Sequence, residues 1–218
     1  MAKMTNKTVM IASVLHLSRF DVKALDTLNP YKLHTVIYGL FDDVRTEEEK
    51  QKSIPSGFLY VDKGSNFHGQ KILMLSNRQP NVPTHGEVSM KKIASNFLDY
   101  PRYRFEVVMN PTKRDKKTRK VIAIQKQSKD ENTRQLIADW FIEKAPQWGF
   151  EVSSAHLEVE DIVVKKFTEK TGREITQGQA RILGKLTVID KKKFVQSFQR
   201  GIGRGRSFGC GLLQVVPI

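Results

Sequence analysis

One cysteine, Cys210, stands among 218 residues. A lone thiol cannot build a disulfide framework or a multi-cysteine zinc site within the chain, and it fits a reducing cytoplasm. Histidine is also scarce. His16, His34, His68, His85 and His156 show no zinc spacing, and H-E-x-x-H is missing. No carboxylate cluster suggests a metal, so no metal or other cofactor is expected. Long apolar runs are lacking too. The stretch from Val9 to Leu17 is too short to span a bilayer, and no small-residue cleavage site follows it. Neither a membrane segment nor a signal peptide is expected.

The other deficit is acid. Asp and Glu number 23 against 37 Lys and Arg, a formal net charge of +14, and the pI is near 9.9. That balance points to a polyanionic partner, most often nucleic acid. Two segments carry nearly all of the excess. Residues 102–120 hold Arg102, Arg104, Lys113, Arg114, Lys116, Lys117, Arg119 and Lys120 against Glu106 and Asp115. Residues 191–206 hold Lys191, Lys192, Lys193, Arg200, Arg204 and Arg206 and no acid. A charge run alone is often a solvated face; two that carry almost the whole excess favour a binding surface.

The length suits one large domain or two small ones, and a chain of this size buries roughly 70% of its unfolded surface. Residues 8–17 (TVMIASVLHL) read as a strand. In "NPYKLHTVIYGLF", Asn29 suits an N-cap and Pro30 the first helical position. Leu33, Val36, Ile37, Leu40 and Phe41 then recur at helical spacing. "TEEEKQK" reads as a solvated connection, and "GFLYVD" and "KILMLS" as two strands of a hairpin with Gly64 and Gly69 between them. Residues 77–100 stay ambiguous, with "KKIASNFL" open to helix or strand, and "YRFEVVMN" is a strand closed by Pro111.

The polar, charged "PTKRDKKTRK" offers the best boundary, giving an N-terminal domain 1–112, a basic linker 113–118 and a C-terminal domain 119–218. "VIAIQ" then reads as a strand, 132–149 as a helix capped by Asn132 with Gly149 past its end, and 150–167 and 175–189 as strands. Asp190 caps "KKKFVQSFQR", and "LLQVV" is the last strand. The second half therefore runs β-α-β-β-α-β, the ferredoxin-like order, and the first half gives the same order with one helix position undetermined. The expected class is α+β, with two tandem ferredoxin-like domains (RRM-like, βαββαβ). Such sheets are common among RNA binders, though fold alone does not give function.

The chain closes on "FQRGIGRGRSFGCGLLQVVPI", with Gly201, Gly203, Gly205, Gly209 and Gly211 interleaved with Arg200, Arg204 and Arg206. The spacing fits neither a dinucleotide fingerprint nor a P-loop. These glycines follow a helix, at its negative dipole end, so an anion bound there would depend on the arginines. Gly201 as a left-handed C-cap explains one glycine. Bare backbone allows close approach, and guanidinium forks match phosphate geometry.

On the first helix Tyr31 precedes His34 by three residues and shares its face. RNA carries its own nucleophile in the 2′-hydroxyl, so cleavage needs a base, an acid for the 5′-oxygen and charge relief on the phosphorane. Histidine serves as acid or base near neutral pH, and a tyrosine hydroxyl can orient or donate.

The tail "RGIGRGRSFGCGLLQVVP", "LHLSRF", "NPYKLH" and "YRFEVVMNP", in that arrangement along nearly the whole chain, resemble the CasE family. These are CRISPR repeat-RNA endoribonucleases of Cascade, within the RAMP superfamily. The resemblance implies a metal-independent ribonuclease with two tandem ferredoxin-like domains. It would bind the hairpin of a repeat transcript (pre-crRNA), cut at the 3′ base of the stem, and leave a 2′,3′-cyclic phosphate and a 5′-hydroxyl. It would then stay on the mature crRNA beside other Cascade subunits. By position His34 matches the family's catalytic histidine and Tyr31 its tyrosine partner, with acid and base roles left open. The resemblance makes Arg102, Arg104, Lys113, Arg114, Lys116 and Lys117 candidates for the stem's phosphates. It places Arg200, Arg204, Arg206 and Ser207 toward the RNA backbone. One departure stands out: "TVIYGLFDDV" (35–44) has no Lys or Arg where some members carry a base. Lys32, Arg19 or the tail would then relieve the phosphorane charge. The rival readings are a non-catalytic hairpin-binding subunit of the same fold and an unrelated basic RNA binder.

Overall fold

The computed structural model describes residues 9–52, 54–124 and 131–218. Residue 8 of the expected first strand and residue 125 of the expected "VIAIQ" strand lie outside them. The first sheet has the order β2-β3-β1-β4 and is antiparallel at every pairing. Its strands are β1 (Ile11–Leu17), β2 (Phe58–Asn66), β3 (Gly69–Ser76) and β4 (Glu87–Lys92). β2 and β3 form the expected hairpin, with a bulge between Asp62 and Ser65 that adds local twist. The strand order is ferredoxin-like, but its fourth strand is β4, from the ambiguous 77–100 segment, and not the expected "YRFEVVMN", and the second helix position, between β3 and β4, is an irregular connection.

Between β1 and β2 lie three helices: α1 (Arg19–Leu25), α2 (Pro30–Gly39) and α3 (Glu47–Gln51). Periodicity does not announce α1, because it spans only seven residues. A capping box accounts for it, Ser18 and Asp21 exchanging side-chain and backbone bonds. α3 corrects the reading of "TEEEKQK" as a plain connection. Thr46 and Glu49 form a second capping box, and three glutamates occupy its first turn, where the dipole favours them. α2 is capped by Asn29 as expected, its side chain accepting from the amides of Tyr31 and Lys32 at 2.9 and 3.4 Å.

The second sheet has the order β10-β5-β9-β8, again antiparallel. Its strands are β5 (Arg102–Met109), β8 (Phe150–Thr168), β9 (Glu174–Val188) and β10 (Gln214–Pro217). Helices α4 (Thr133–Lys144) and α5 (Lys191–Arg200) complete it, capped by Asn132 and Asp190 as expected. The order is ferredoxin-like, but its first strand is β5, not the segment after 120. Val121–Ala123 (β7) instead pairs with Thr112–Arg114 (β6) in a separate two-stranded hairpin. The expected linker 113–118 therefore forms one arm and the turn of that hairpin. The chain passes from the first sheet to the second between Lys92 and Arg102. β5 misleads the boundary because alternation marks a strand without naming its partner: Tyr103, Phe105, Val107 and Met109 are buried in either arrangement.

Two cores follow from the layers. Leu33 and Ile37 of α2 pack with Leu15, Leu17, Phe58, Tyr60 and Ile72 on one face of the first sheet. Leu59, Val61 and Leu75, on its other face, join the core of the second sheet through Leu212 and Leu213. β2 is thus buried on both faces at Phe58–Val61, which explains its unbroken apolar run. Lys63 of β2 pairs with Glu106 of β5 across the seam. Among the described residues, no helix is long and apolar enough to cross a membrane.

Candidate active site

His34 stands on α2 beside the buried face that Leu33 and Ile37 present to the sheet. The tail after α5 comes back to meet it. There Gly205 (φ +77°) and Gly209 (φ +81°) flank a single 3₁₀ turn, Arg206–Phe208. Both take left-handed backbone that other L-residues rarely adopt. A Cβ on Gly205 would sit 2.4 Å from the buried Gln177 amide. The turn aims the Ser207 carbonyl oxygen at His34 Nδ1, 2.7 Å away.

That hydrogen bond assigns the tautomer. A carbonyl oxygen only accepts, so Nδ1 carries the proton and donates it. In the neutral ring Nε2 is then left with its lone pair. Burial holds the imidazole below its ordinary pKa, opposed by the Ser207 hydrogen bond and the Glu169 carboxylate. The ring is also fixed by its neighbours: Tyr38 at 3.9 Å, Phe208 at 5.3 Å and Tyr31, stacked, at 5.9 Å between centroids. Phe208 is backed by Phe167 at 4.8 Å, near the far end of β8. Two bulges between Val152 and Val163 bend the β8–β9 hairpin.

The glycine loop is a packed element. Positions where Cβ atoms of Gly201, Gly203, Gly205 and Gly211 would stand meet Leu59, Met109, Gln177 and the Ile202 carbonyl, each within 3 Å. The expected left-handed cap at Gly201 is not formed; its φ is +74° but its ψ is 163°. Cys210 is fully buried, and burial pushes its thiol up to about 12, which leaves it no role as a nucleophile at neutral pH.

Of the residues singled out from sequence, His34, Tyr31 and Ser207 come together, with Arg206 next in the chain and Arg204 exposed on the same loop. Arg206 donates from Nη1 to the Arg200 carbonyl at 3.0 Å. Arg200 itself lines a different cleft, with Met10, Pro55 and Leu59. Lys113, Arg114, Lys116 and Lys117 are exposed on the β6–β7 hairpin. Arg102 and Arg104 are exposed on β5, on the face that carries Val108. Val108 lines the cavity shared by Tyr60 and Phe208, so Arg104 stands about 13 Å from it along the strand. Arg19, a candidate for charge relief, lies over the Phe67 ring at 5.0 Å.

Sequence reading missed Tyr38, Tyr60, Phe208, Gln179 and Glu169. Tyr38 lies four residues from His34, one turn along the same face, so helical spacing alone could have found it. Phe208 follows Ser207 in the glycine tail, where adjacency could have found it, while Tyr60, Gln179 and Glu169 lie in other elements and carry no local signal. Among the described residues, no three His, Cys, Asp or Glu side chains are grouped to hold a metal ion.

A family model described as "CRISPR associated protein" matches residues 10–217. The CRISPR-associated endoribonuclease Cse3 of Thermus thermophilus is 28% identical over 125 residues. That match takes in 53% of this chain and 56% of the relative, so the chain spans little more than half of the curated protein it matches. Thermus thermophilus Cse3 bound to an RNA representing a pre-cleavage complex superposes with a TM-score of 0.75 at 19% identity, covering 96% of this chain and all of that one. A chain of a CRISPR RNA-guided surveillance complex, pre-nicking, superposes at 0.66 and 20%, with 96% of this chain and all of that one covered. At those identities the two superpositions speak to fold, that of tandem ferredoxin-like domains. With the family match running from residue 10 to residue 217, the chain belongs to the CRISPR-associated proteins, in the CasE family that its motifs resemble.

Proposed function

We propose that the protein is an endoribonuclease that binds the hairpin of CRISPR repeat RNA, cuts at the 3′ base of the stem, and retains the product as a subunit of Cascade. The observation that carries the reading is the His34 imidazole held by the Ser207 carbonyl with Nε2 left as an acceptor. Nε2 takes the proton of the 2′-hydroxyl, and the 2′-oxygen forms a bond to phosphorus as the bond from phosphorus to the 5′-oxygen breaks. The products are a 2′,3′-cyclic phosphate and a 5′-hydroxyl, and no metal enters the balance. Tyr31, stacked on His34, gives its hydroxyl proton to the departing 5′-oxygen, which leaves as the 5′-hydroxyl, and the proton taken by Nε2 passes through solvent back to the phenolate.

The basic residues divide by place. Lys113, Arg114, Lys116 and Lys117 extend on an exposed hairpin suited to the phosphates of a stem, and Arg102 and Arg104, exposed at the far end of β5, are further candidates for those phosphates. Arg204, Arg206 and the Ser207 hydroxyl face the backbone near the cut, with Arg200 at the border of the same tail. With no Lys or Arg at 35–44, charge relief on the phosphorane falls to the loop arginines. The likeness to Cse3 with bound RNA and to a chain of a surveillance complex supports the RNA hairpin and the other Cascade subunits as partners. A cytoplasmic location goes with an RNA substrate and a free thiol.

Labelled repeat hairpin incubated with the protein in EDTA tests the reading. Cutting persists in the wild type and is lost in His34→Ala, while RNA binding remains. Cutting by His34→Ala at the wild-type rate would remove the assignment. A second reading, binding without cleavage, draws on the same gap at 35–44, and the wild-type lane decides it.

A further inference from the structure

We propose that Tyr60 is a positioning residue for cleavage: its hydroxyl holds the Ser207 carbonyl where that carbonyl receives the Nδ1 proton of His34. This rests on the reading of His34 as the proton-transfer residue. Tyr60 Oη donates to the Ser207 oxygen at 2.8 Å, and His34 Nδ1 donates to the same atom at 2.7 Å. A carbonyl oxygen has two lone pairs, so it accepts both donors in full.

The two donors are anchored differently. His34 sits on a helix at the edge of the site. Tyr60 is 2% exposed in the segment of the edge strand β2 that is buried on both faces. Burial pushes its hydroxyl well above the ordinary phenol range, so it stays protonated and a donor at neutral pH. Gly209 lies against its ring, close enough that a Cβ there would be 3.5 Å from the ring edge. The next carbonyl along, that of Phe208, accepts from Gln179 Nε2 of β9 at 3.2 Å. Two successive peptide units of the loop are therefore pinned from opposite sides of the seam, one by the first sheet and one by the second. The imidazole takes its orientation from whichever place that clamp gives the Ser207 oxygen.

The charged and titratable groups around His34 are Tyr31 and Tyr38 on α2, Tyr60 on β2 through the shared Ser207 oxygen, and Glu169 past β8, while Arg206, one position before Ser207, turns its guanidinium to the Arg200 carbonyl. Lys165 of β8 lines the cavity with Tyr60 and Phe208. Tyr60→Phe keeps the ring and its packing and removes one donor from the shared oxygen. The freed lone pair accepts more strongly from a charged imidazolium, so the pKa of His34 rises. The ring also loses its fixed aim.

The test compares wild type, Tyr60→Phe and His34→Ala on a repeat-hairpin RNA under single-turnover conditions from pH 5 to 8. Tyr60→Phe is expected to lower the rate constant at pH 7 by about 10- to 100-fold, to move the acidic limb to higher pH, and to leave the RNA Kd within about twofold. A wild-type rate and profile in Tyr60→Phe, with His34→Ala inactive, would overturn this proposal and leave the His34 reading intact. Undiminished cutting by His34→Ala would overturn that reading instead. If Tyr60→Phe melts below the assay temperature, ¹⁵N spectra of His34 decide, recorded for wild type and Tyr60→Phe at a temperature where both are folded. A His34 pKa raised in the variant supports the clamp, and an unchanged pKa with unchanged Nδ1 protonation refutes it.

Discussion

His34 and Ser207 lie 173 positions apart in the chain and meet through a 2.7 Å hydrogen bond, Nδ1 to carbonyl oxygen. The bond joins a helix of the first half to the glycine loop of the second. The chemistry we propose depends on that junction, and so do the experiments that probe it.

The pH profile of cleavage carries a definite sign. Burial lowers the pKa of His34 from its ordinary 6.5, and a general base acts in its unprotonated form. The rate should rise with pH below that lowered pKa and level off before pH 7, with or without EDTA. Single-turnover rates across buffers of constant ionic strength measure it. A rate that falls as pH climbs from 5 to 7 would make the protonated ring the active form and reverse the assigned role.

Gly205→Ala should separate loop shape from loop charge. The added methyl meets Gln177 and forces a left-handed backbone on alanine, at a cost of about 1–3 kcal/mol. Because the same residue sets the turn that aims Ser207, cleavage should fall further than stability alone explains. Gly39→Ala is the control: it lies at the end of α2 with open space where the methyl would go, and it should stabilise by about 0.5 kcal/mol. Thermal melting beside cleavage rates checks both. Equal behaviour of the two variants would show that the loop tolerates reshaping.

Neutralising Arg204 and Arg206 together should flatten the salt dependence of RNA binding. Each phosphate that a cation no longer neutralises takes about 0.7–0.9 from the slope of log K against log salt, so the pair should remove between about 1 and 2. Arg206 also donates to the Arg200 carbonyl, and its replacement by glutamine preserves more of that bond than alanine does. An unchanged slope in the double glutamine variant would confine both arginines to folding the loop.

What local chemistry dictates is legible in the residues themselves. Asn29, Asn132 and Asp190 announce their helices because a cap satisfies amides two or three positions away. The alternation in β5 and the run in β2 mark strands for the same short-range reason. The excess of positive charge, the pairing of Tyr31 with His34 and the dense glycines of the tail can all be read directly. The tertiary structure alone decided which sheet β5 joins and that Ser207 receives bonds from both His34 and Tyr60. Strand pairing and the meeting of side chains more than a hundred positions apart depend on how the whole chain closes on itself. No window of neighbouring residues encodes that closure.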